Sequence, residues 1–213
     1  MSTLRLDWAT YAAALYACEH WHYSGCMPAG RTIKLGVWED ATFKGVVIFS
    51  RGATVSIGKP YDLQQTEVCE LTRVALQKHD APVSRIVAIA LRLLTKFSPG
   101  LRLVVSYAAG EQNHHGGIYQ AGGWIYEGAA DSYSFKVHGK LTHARTLSSR
   151  YGRADMEWLR ENVDPNVERV TGLVRHKYLM PLDAAMRKRV ALLAKPYPKR
   201  QPRERAADRT VTG

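Results

Sequence analysis

The chain has 213 residues, 46% of them hydrophobic and 23% charged, which is enough to bury one good core and is near the upper size for a single unit. Its formal charge is +11, and from Arg169 to Arg209 twelve Lys or Arg stand against Asp183, Glu204 and Asp208, so nucleic acid is the expected partner ahead of an acidic membrane surface. The longest apolar run is far short of a membrane span, no basic region followed by an apolar stretch opens the chain, and the irregular set Cys18, Cys26 and Cys69 suits reduced thiols in a cytosolic protein.

Asp7 is placed to cap a helix whose apolar residues Trp8, Tyr11, Ala12, Leu15 and Tyr16 recur at three- and four-residue spacing. The polar knot that follows holds Cys18, His20, His22 and Cys26, but their spacing is not the paired knuckle of a structural zinc site. Residues 32–38 and 43–49 alternate around Glu39-Asp40-Ala41, which predicts a hairpin. The Gly-rich loop from Ser50 to Pro60 is a candidate phosphate cradle without the strand-to-helix setting of a nucleotide fingerprint. Residues 67–76 predict a central strand. Glu70 and Arg73 near its middle either lie on an exposed face or belong to a site, because unpaired charge inside a sheet is costly. Pro82-Val83-Ser84 opens a helix with the stripe Ile86, Ile89, Ala90, Leu93 and Phe97, widened by Val87, Leu91 and Leu94, and Pro99-Gly100 stops it.

The apolar run 101–105 predicts a buried strand, and the stretch from Ser106 to Trp124 that leaves it crowds Ser, Tyr, Glu, Asn and two His together. Side chains leaving strand ends converge on a ligand crevice, so the working centre is expected here; a solvated loop with backbone-bonded histidines is the competing reading. Residues 118–121 predict a helical turn, and 124–126 and 133–137 two strands separated by Gly128-Ala129-Ala130-Asp131. The polar, basic segment 138–146 suits phosphate contacts, or equally an ordinary exposed strand. Asp155 to Leu159 suggests a helix, 170–180 a late strand, and Asp183 the cap of a final helix that carries Met186, Val190 and Leu193 inward. Residues 1–194 form the expected domain and 195–213 a basic, disordered tail. This order matches an α/β (α+β) acyltransferase fold of the GNAT type, a mixed central sheet flanked by helices, with the ligand cleft where strand 67–76 and the next one splay.

Several blocks carry a more specific resemblance: His20-Trp21-His22-Tyr23-Ser24, Gly36-Val37-Trp38-Glu39, Glu70-Leu71-Thr72-Arg73-Val74, Ser106-Tyr107-Ala108, His115-Gly116-Gly117-Ile118-Tyr119-Gln120-Ala121 with Trp124-Ile125-Tyr126, Lys177 to Asp183, and Pro196-Tyr197-Pro198-Lys199. In this order, and over nearly the whole chain, they resemble the Mom family of phage DNA-modification proteins. The resemblance implies a GNAT-like enzyme on double-stranded DNA, in the cytoplasm of an infected bacterial host, that converts the N6 amine of adenine to its N6-methylcarbamoyl (acetamido) form and shields phage DNA from restriction. It implies iron as a proposed metal and acetyl-CoA as a proposed donor. It associates the His22-Tyr23 pair, and an Asp after Ser-Tyr-Ala, with the metal or catalytic centre. Ala109 stands where that Asp is expected, so either the position is dispensable or the chain is an inactive Asp→Ala variant.

An enzyme on a paired base must flip it out, using phosphate contacts and aromatic stacking. The catalytic candidates are His22, Tyr23, Ser106, Tyr107, Ala109, His115 and Tyr119. His22 and Tyr23 double as metal ligands, since imidazole suits iron or zinc and phenolate suits ferric iron. Glu70, Arg73, Lys78 and Arg85 are the cofactor-binding candidates. The loop 77–84 contains no glycine to wrap a diphosphate, which weighs against acetyl-CoA unless Lys78 or Arg85 compensates. Lys136, Lys140, His143, Arg145, Lys177, Lys199 and Arg200 are the expected DNA contacts. Double-stranded DNA is the expected partner, a second copy of the chain is admitted as another, and no membrane is expected. The alternatives are an acyltransferase for a non-DNA amine, a non-enzymatic DNA-binding protein, and a histidine-metal nuclease built on Asn113, His114 and His115.

Overall fold

The computed structural model describes residues 3–52, 54–109 and 115–199, without the side chains of Arg145 and Ser149. Gly110 to His114, in the middle of the expected working centre, and Arg200 therefore lie outside the described residues.

The alternating segments assemble into one eight-stranded sheet. Strands β1 (Leu4–Trp8), β2 (Thr32–Glu39), β3 (Thr42–Ser50), β4 (Val68–Leu76), β5 (Leu103–Ala109), β6 (Ile125–Val137), β7 (Lys140–Thr142) and β8 (Glu168–Pro181) lie in the order β1-β2-β3-β4-β5-β8-β6-β7. Asp40 and Ala41 both take left-handed φ values, 47° and 67°, and so close the expected hairpin with a turn that follows the twist of its strands. Every pairing is antiparallel except β4 with β5, which the helix α2 (Val83–Phe97) connects as a crossover.

Two layers of helix cover the sheet. On one face the apolar side of α2, with Ile86, Ala90 and Leu94, and the short α3 (Gly117–Ala121), with Tyr119, pack on Val47, Phe49, Val104, Trp124 and Tyr178. On the other face α1 (Tyr11–Trp21) packs on Val46, Ile48 and Ala75, and α6 (Ala184–Ala191) on Leu103, Val105 and Leu179. Asp183 caps α6 by accepting from Met186 N at 2.7 Å, and Met186 and Val190 are buried.

Four sequence expectations change. Asp7 does not cap α1: it belongs to β1, whose residues pair with β2, and Thr10 is the cap, accepting from Ala13 N. The buried side of α1 is Ala14, Ala17 and Cys18, small residues that let the helix approach the sheet closely, so Trp8, Tyr11 and Tyr16 stay exposed. The two strands expected at 124–137 are one, because the small residues 128–131 stay paired with β8 across register breaks at Tyr126/Gly128 and Ser132/Ser134. Leu193 lies beyond the end of α6 and is exposed rather than inward. The described start of the expected tail runs back over the protein: Lys195 N donates to Tyr126 O, Tyr197 Oη to Trp124 O, and Gln120 Nε2 to Pro198 O.

Two irregularities position the site. The β4–β5 pairing runs from Val68↔Leu103 only to Leu71↔Ser106, whereas β5 stays paired with β8 as far as Ala109↔Arg175, so β4 and β5 part beyond Leu71 and Ser106. One strand earlier, the β3–β4 register shifts between Ile48/Phe49, which makes Thr72 the extra residue of a bulge. The bulge puts Glu70 and Arg73 on the same face, the one that carries α1 and α6.

Candidate functional site

On that face, where β4 and β5 part, a cavity of about 180 Å³ is lined by Glu70, Tyr107 and Lys177 from the strands and by Thr54, Ser56, Ile57 and Pro60 from the connection before β4. The Gly-rich loop expected to cradle phosphate is thus one wall. Gly52 is needed there: at φ 84° a Cβ would stand 2.6 Å from Ile57, and the carboxylate of Glu70 is just beyond. Glu70 itself is buried.

Lys177, expected as a DNA contact, lines this cavity. Its Nζ pairs with Glu127 at 3.1 Å and sits 5.0 Å from the Tyr61 ring centroid, while Tyr61 Oη donates to the same carboxylate at 2.5 Å. Burial and that carboxylate push the Tyr61 phenol well above its ordinary range, so it remains a donor.

The parting point has its own polar lock. Ser106 Oγ lies 2.8 Å from Leu71 O and 2.8 Å from Tyr119 Oη. A carbonyl only accepts and Ser106 has one proton, so Ser106 donates to Leu71 and Tyr119 donates to Ser106. Burial pushes the Tyr119 phenol up to about 12, which keeps that proton in place. Negative charge on Tyr23 or on Glu70 would raise it further. Ser106 is fully buried and serves as a tie between strands, not as an accessible nucleophile.

His22 and Tyr23 follow α1, their ring centroids 4.3 Å apart. Arg73 draws this segment to β4 by donating from Nε to Cys26 O at 3.3 Å. Ser24 holds the His22 ring at Nδ1, with its backbone N at 3.1 Å and its Oγ at 2.8 Å. Among the described residues no three His, Cys, Asp or Glu side chains are placed to hold a metal ion. Burial raises the Cys18 thiol to about 11 and the Cys69 thiol to about 12, which keeps both protonated.

His115 is not brought to the cavity. Its carbonyl accepts from Tyr178 Oη at 2.6 Å and Gln120 Nε2 at 3.0 Å, on the opposite face of the sheet. There it neighbours His176, whose Nδ1 is 2.9 Å from Tyr126 Oη and whose pKa is lowered by burial and then by His115. Ala109 does face the cavity side, directly across from Arg175, whose buried Nε has no hydrogen-bond partner among the described residues. Lys78 and Arg85 are exposed, in the segment after β4 and in the first turn of α2.

The segment 77–82 is instead tied to β2. The carboxylate of Glu39, 3% exposed, accepts from Ala81 N at 2.7 Å and from Asp80 N at 3.0 Å. These bonds hold the Glu39 carboxyl below the usual range. Neither role was legible in the sequence: Glu39 reads as part of a turn and His176 as one of three consecutive basic residues, and their partners are distant in the chain.

Lys136, Lys140, His143 and Arg145, also expected as DNA contacts, sit on an arm. Beyond Ala109, β6 and β8 continue together to Lys136↔Glu168, and α4 (Ala144–Tyr151) and α5 (Met156–Asn162) close a small core around Phe135, Leu147, Leu159 and Val167. Lys136 and Lys140 are exposed on its hairpin, His143 is half-buried, and Arg145 lies in α4. Lys199 is exposed at the end of the described chain.

Comparison with known proteins adds the following. The model of the Mom protein family matches residues 3–199. No curated protein sequence matches the chain. A protein of Acinetobacter baylyi ADP1 assigned to the acetyltransferases superposes with a TM-score of 0.50 at 11% identity, covering 86% of this chain and 94% of its own. A Bacillus subtilis acetyltransferase solved with CoA gives 0.44 at 11% identity, with 86% and 100% covered. A Sphaerobacter thermophilus protein assigned likewise gives 0.41 at 13%, with 84% and 94% covered. The fold is that of a GNAT-type acyltransferase.

Proposed function

The chain belongs to the Mom protein family, and from that premise we propose that it is a transferase that modifies the N6 amine of adenine in double-stranded DNA, to the N6-methylcarbamoyl form, and so protects phage DNA from host restriction. The observation that carries the reading is the cavity at the parting strands, where an acyltransferase fold places a buried carboxylate, an aromatic ring and two hydroxyl side chains around one small space. A flipped base needs such walls: a ring to stack on and acceptors for its amine edge. Tyr107 supplies the ring, and Thr54 and Ser56 supply edge contacts. Glu70 accepts from the N6 amine and takes its proton as the nitrogen bonds the transferred carbon and the donor's leaving group departs from that carbon. Lys177, held by Glu127, fixes the cavity's charge opposite Glu70. Tyr119 and Ser106 hold the two strands at the geometry that leaves the cavity open.

The arm supplies the grip on DNA. Lys136, Lys140, Arg145, Arg150 and Arg153 fall between Ser132 and Arg153 with no acidic residue among them. It projects from the end of the sheet at which β4 and β5 part, so a duplex held there has its base edges near the cavity mouth.

Mass spectrometry of nucleosides from cells that express the chain tests this. Modified adenine is expected, and Glu70→Gln should lower it about 10²- to 10⁴-fold if Glu70 handles the proton. Unmodified adenine from the chain and equally from Ala109→Asp would overturn the reading. A gain seen only with Ala109→Asp identifies the chain as an inactive variant, its new carboxylate lying across from Arg175.

A further inference from the structure

A helix start after the central strand of an acyltransferase fold offers its peptide N–H groups to the diphosphate of coenzyme A. Here the two peptide N–H groups nearest the start of α2 on its N-terminal side are already committed. Glu39, the last residue of β2, takes the N–H groups of Asp80 and Ala81, and the next residue, Pro82, has none. Residues 77–84 include no glycine, so side chains line the whole approach. The N–H groups of Asp80 and Ala81 hold the Glu39 carboxyl below its ordinary value, and the charge of Lys44 lowers it further.

We propose that Glu39 is a resident anion in the place of a cofactor diphosphate, and that the transferred group comes from a donor that carries no nucleotide diphosphate. CoA does not fit, because its diphosphate would have to displace a buried carboxylate and would then face that displaced charge. That a group is transferred at all rests on the proposed transferase activity. The refusal of diphosphate rests on the loop alone.

The test is binding, measured on the full chain at fixed ionic strength. Calorimetry with CoA and with acetyl-CoA should show no saturable heat up to about 1 mM. Inorganic pyrophosphate, used as the bare diphosphate probe, should raise the melting temperature of Glu39→Ala above its own ligand-free value by more than it raises that of the parent chain. Glu39→Gln, which keeps one acceptor and the shape, should show the same difference to a smaller degree and serves if Glu39→Ala does not fold. Micromolar CoA binding by the parent chain overturns the proposal. So does a pyrophosphate response no larger in the variants than in the parent, since Glu39 would then not occupy an anion site. Adenine modification in cells is a separate readout: a chain that modifies adenine and binds CoA refutes this inference and leaves the proposed function standing.

Discussion

One hydroxyl, that of Ser106, joins the two strands at the point where they part. Replacing it by Ala leaves the Tyr119 phenol buried without its acceptor, a loss of about 1–3 kcal/mol. The midpoint of urea unfolding should fall accordingly at unchanged slope. Adding Tyr119→Phe to Ser106→Ala should cost less than Tyr119→Phe does in the parent chain, because the shared bond is already gone. Ser106, Tyr107 and Tyr119 were visible as candidates in the sequence because polar residues at the end of an apolar run stand out. Their separate jobs were not. Alternation along β5 sends Ser106 and Tyr107 to opposite faces, and only the helix and cavity on each face decide which one ties the strands and which one lines the cavity. Lys177 read as one more cation in a basic region, since nothing near it in the chain announces Glu127 or Tyr61.

At the scale of elements, α3 depends on how the chain enters it. Gly116 sits at φ 79°, and a Cβ there would stand 2.3 Å from the Tyr178 ring. Gly116→Ala should therefore destabilise by more than about 2 kcal/mol, through strain and through displacement of a buried ring. Thermal unfolding reads the loss, and the hydroxyl of Tyr178 should lose its bond to His115 O. The hairpin of β2 and β3, the central strand β4 and the helix α2 were legible because each has a clean period and a turn or proline at its boundary. β1 was not: Leu4-Arg5-Leu6-Asp7-Trp8 is too short for its alternation to compete with the helical spacing that follows. β6 was split because glycine and alanine read as a turn, yet small residues also allow a strand to bend while staying paired.

Across the whole molecule, three carboxylates fasten parts that are far apart in the chain. Glu39 holds the segment ahead of α2, Asp164 takes His138 N in the arm, and Asp183 caps α6 while it pairs with Arg102. In each the folded state holds the carboxyl below its ordinary value, 4.5 for Glu39 and 3.8 for the two Asp, chiefly through backbone N–H donors for the first two and through Arg102 for Asp183. A lowered folded value means that the unfolded chain takes up protons first. The stabilisation is complete above about pH 4.5 and is lost as the pH falls through the folded values. Melting temperature measured from pH 7 down to pH 3 should accordingly be level with respect to these groups until about 4.5 and then decline, with a smaller decline for Glu39→Gln.

The separation of β4 from β5 has a consequence for how far such proteins can drift. At a sheet's opened seam, an incoming molecule meets main-chain carbonyls, which no side-chain change removes, and main-chain amides, which only proline removes. Side chains around the seam are then at liberty to change chemistry while the frame persists, in keeping with a shared architecture at 11% identity. A family could exchange one donor for another there without rebuilding the sheet.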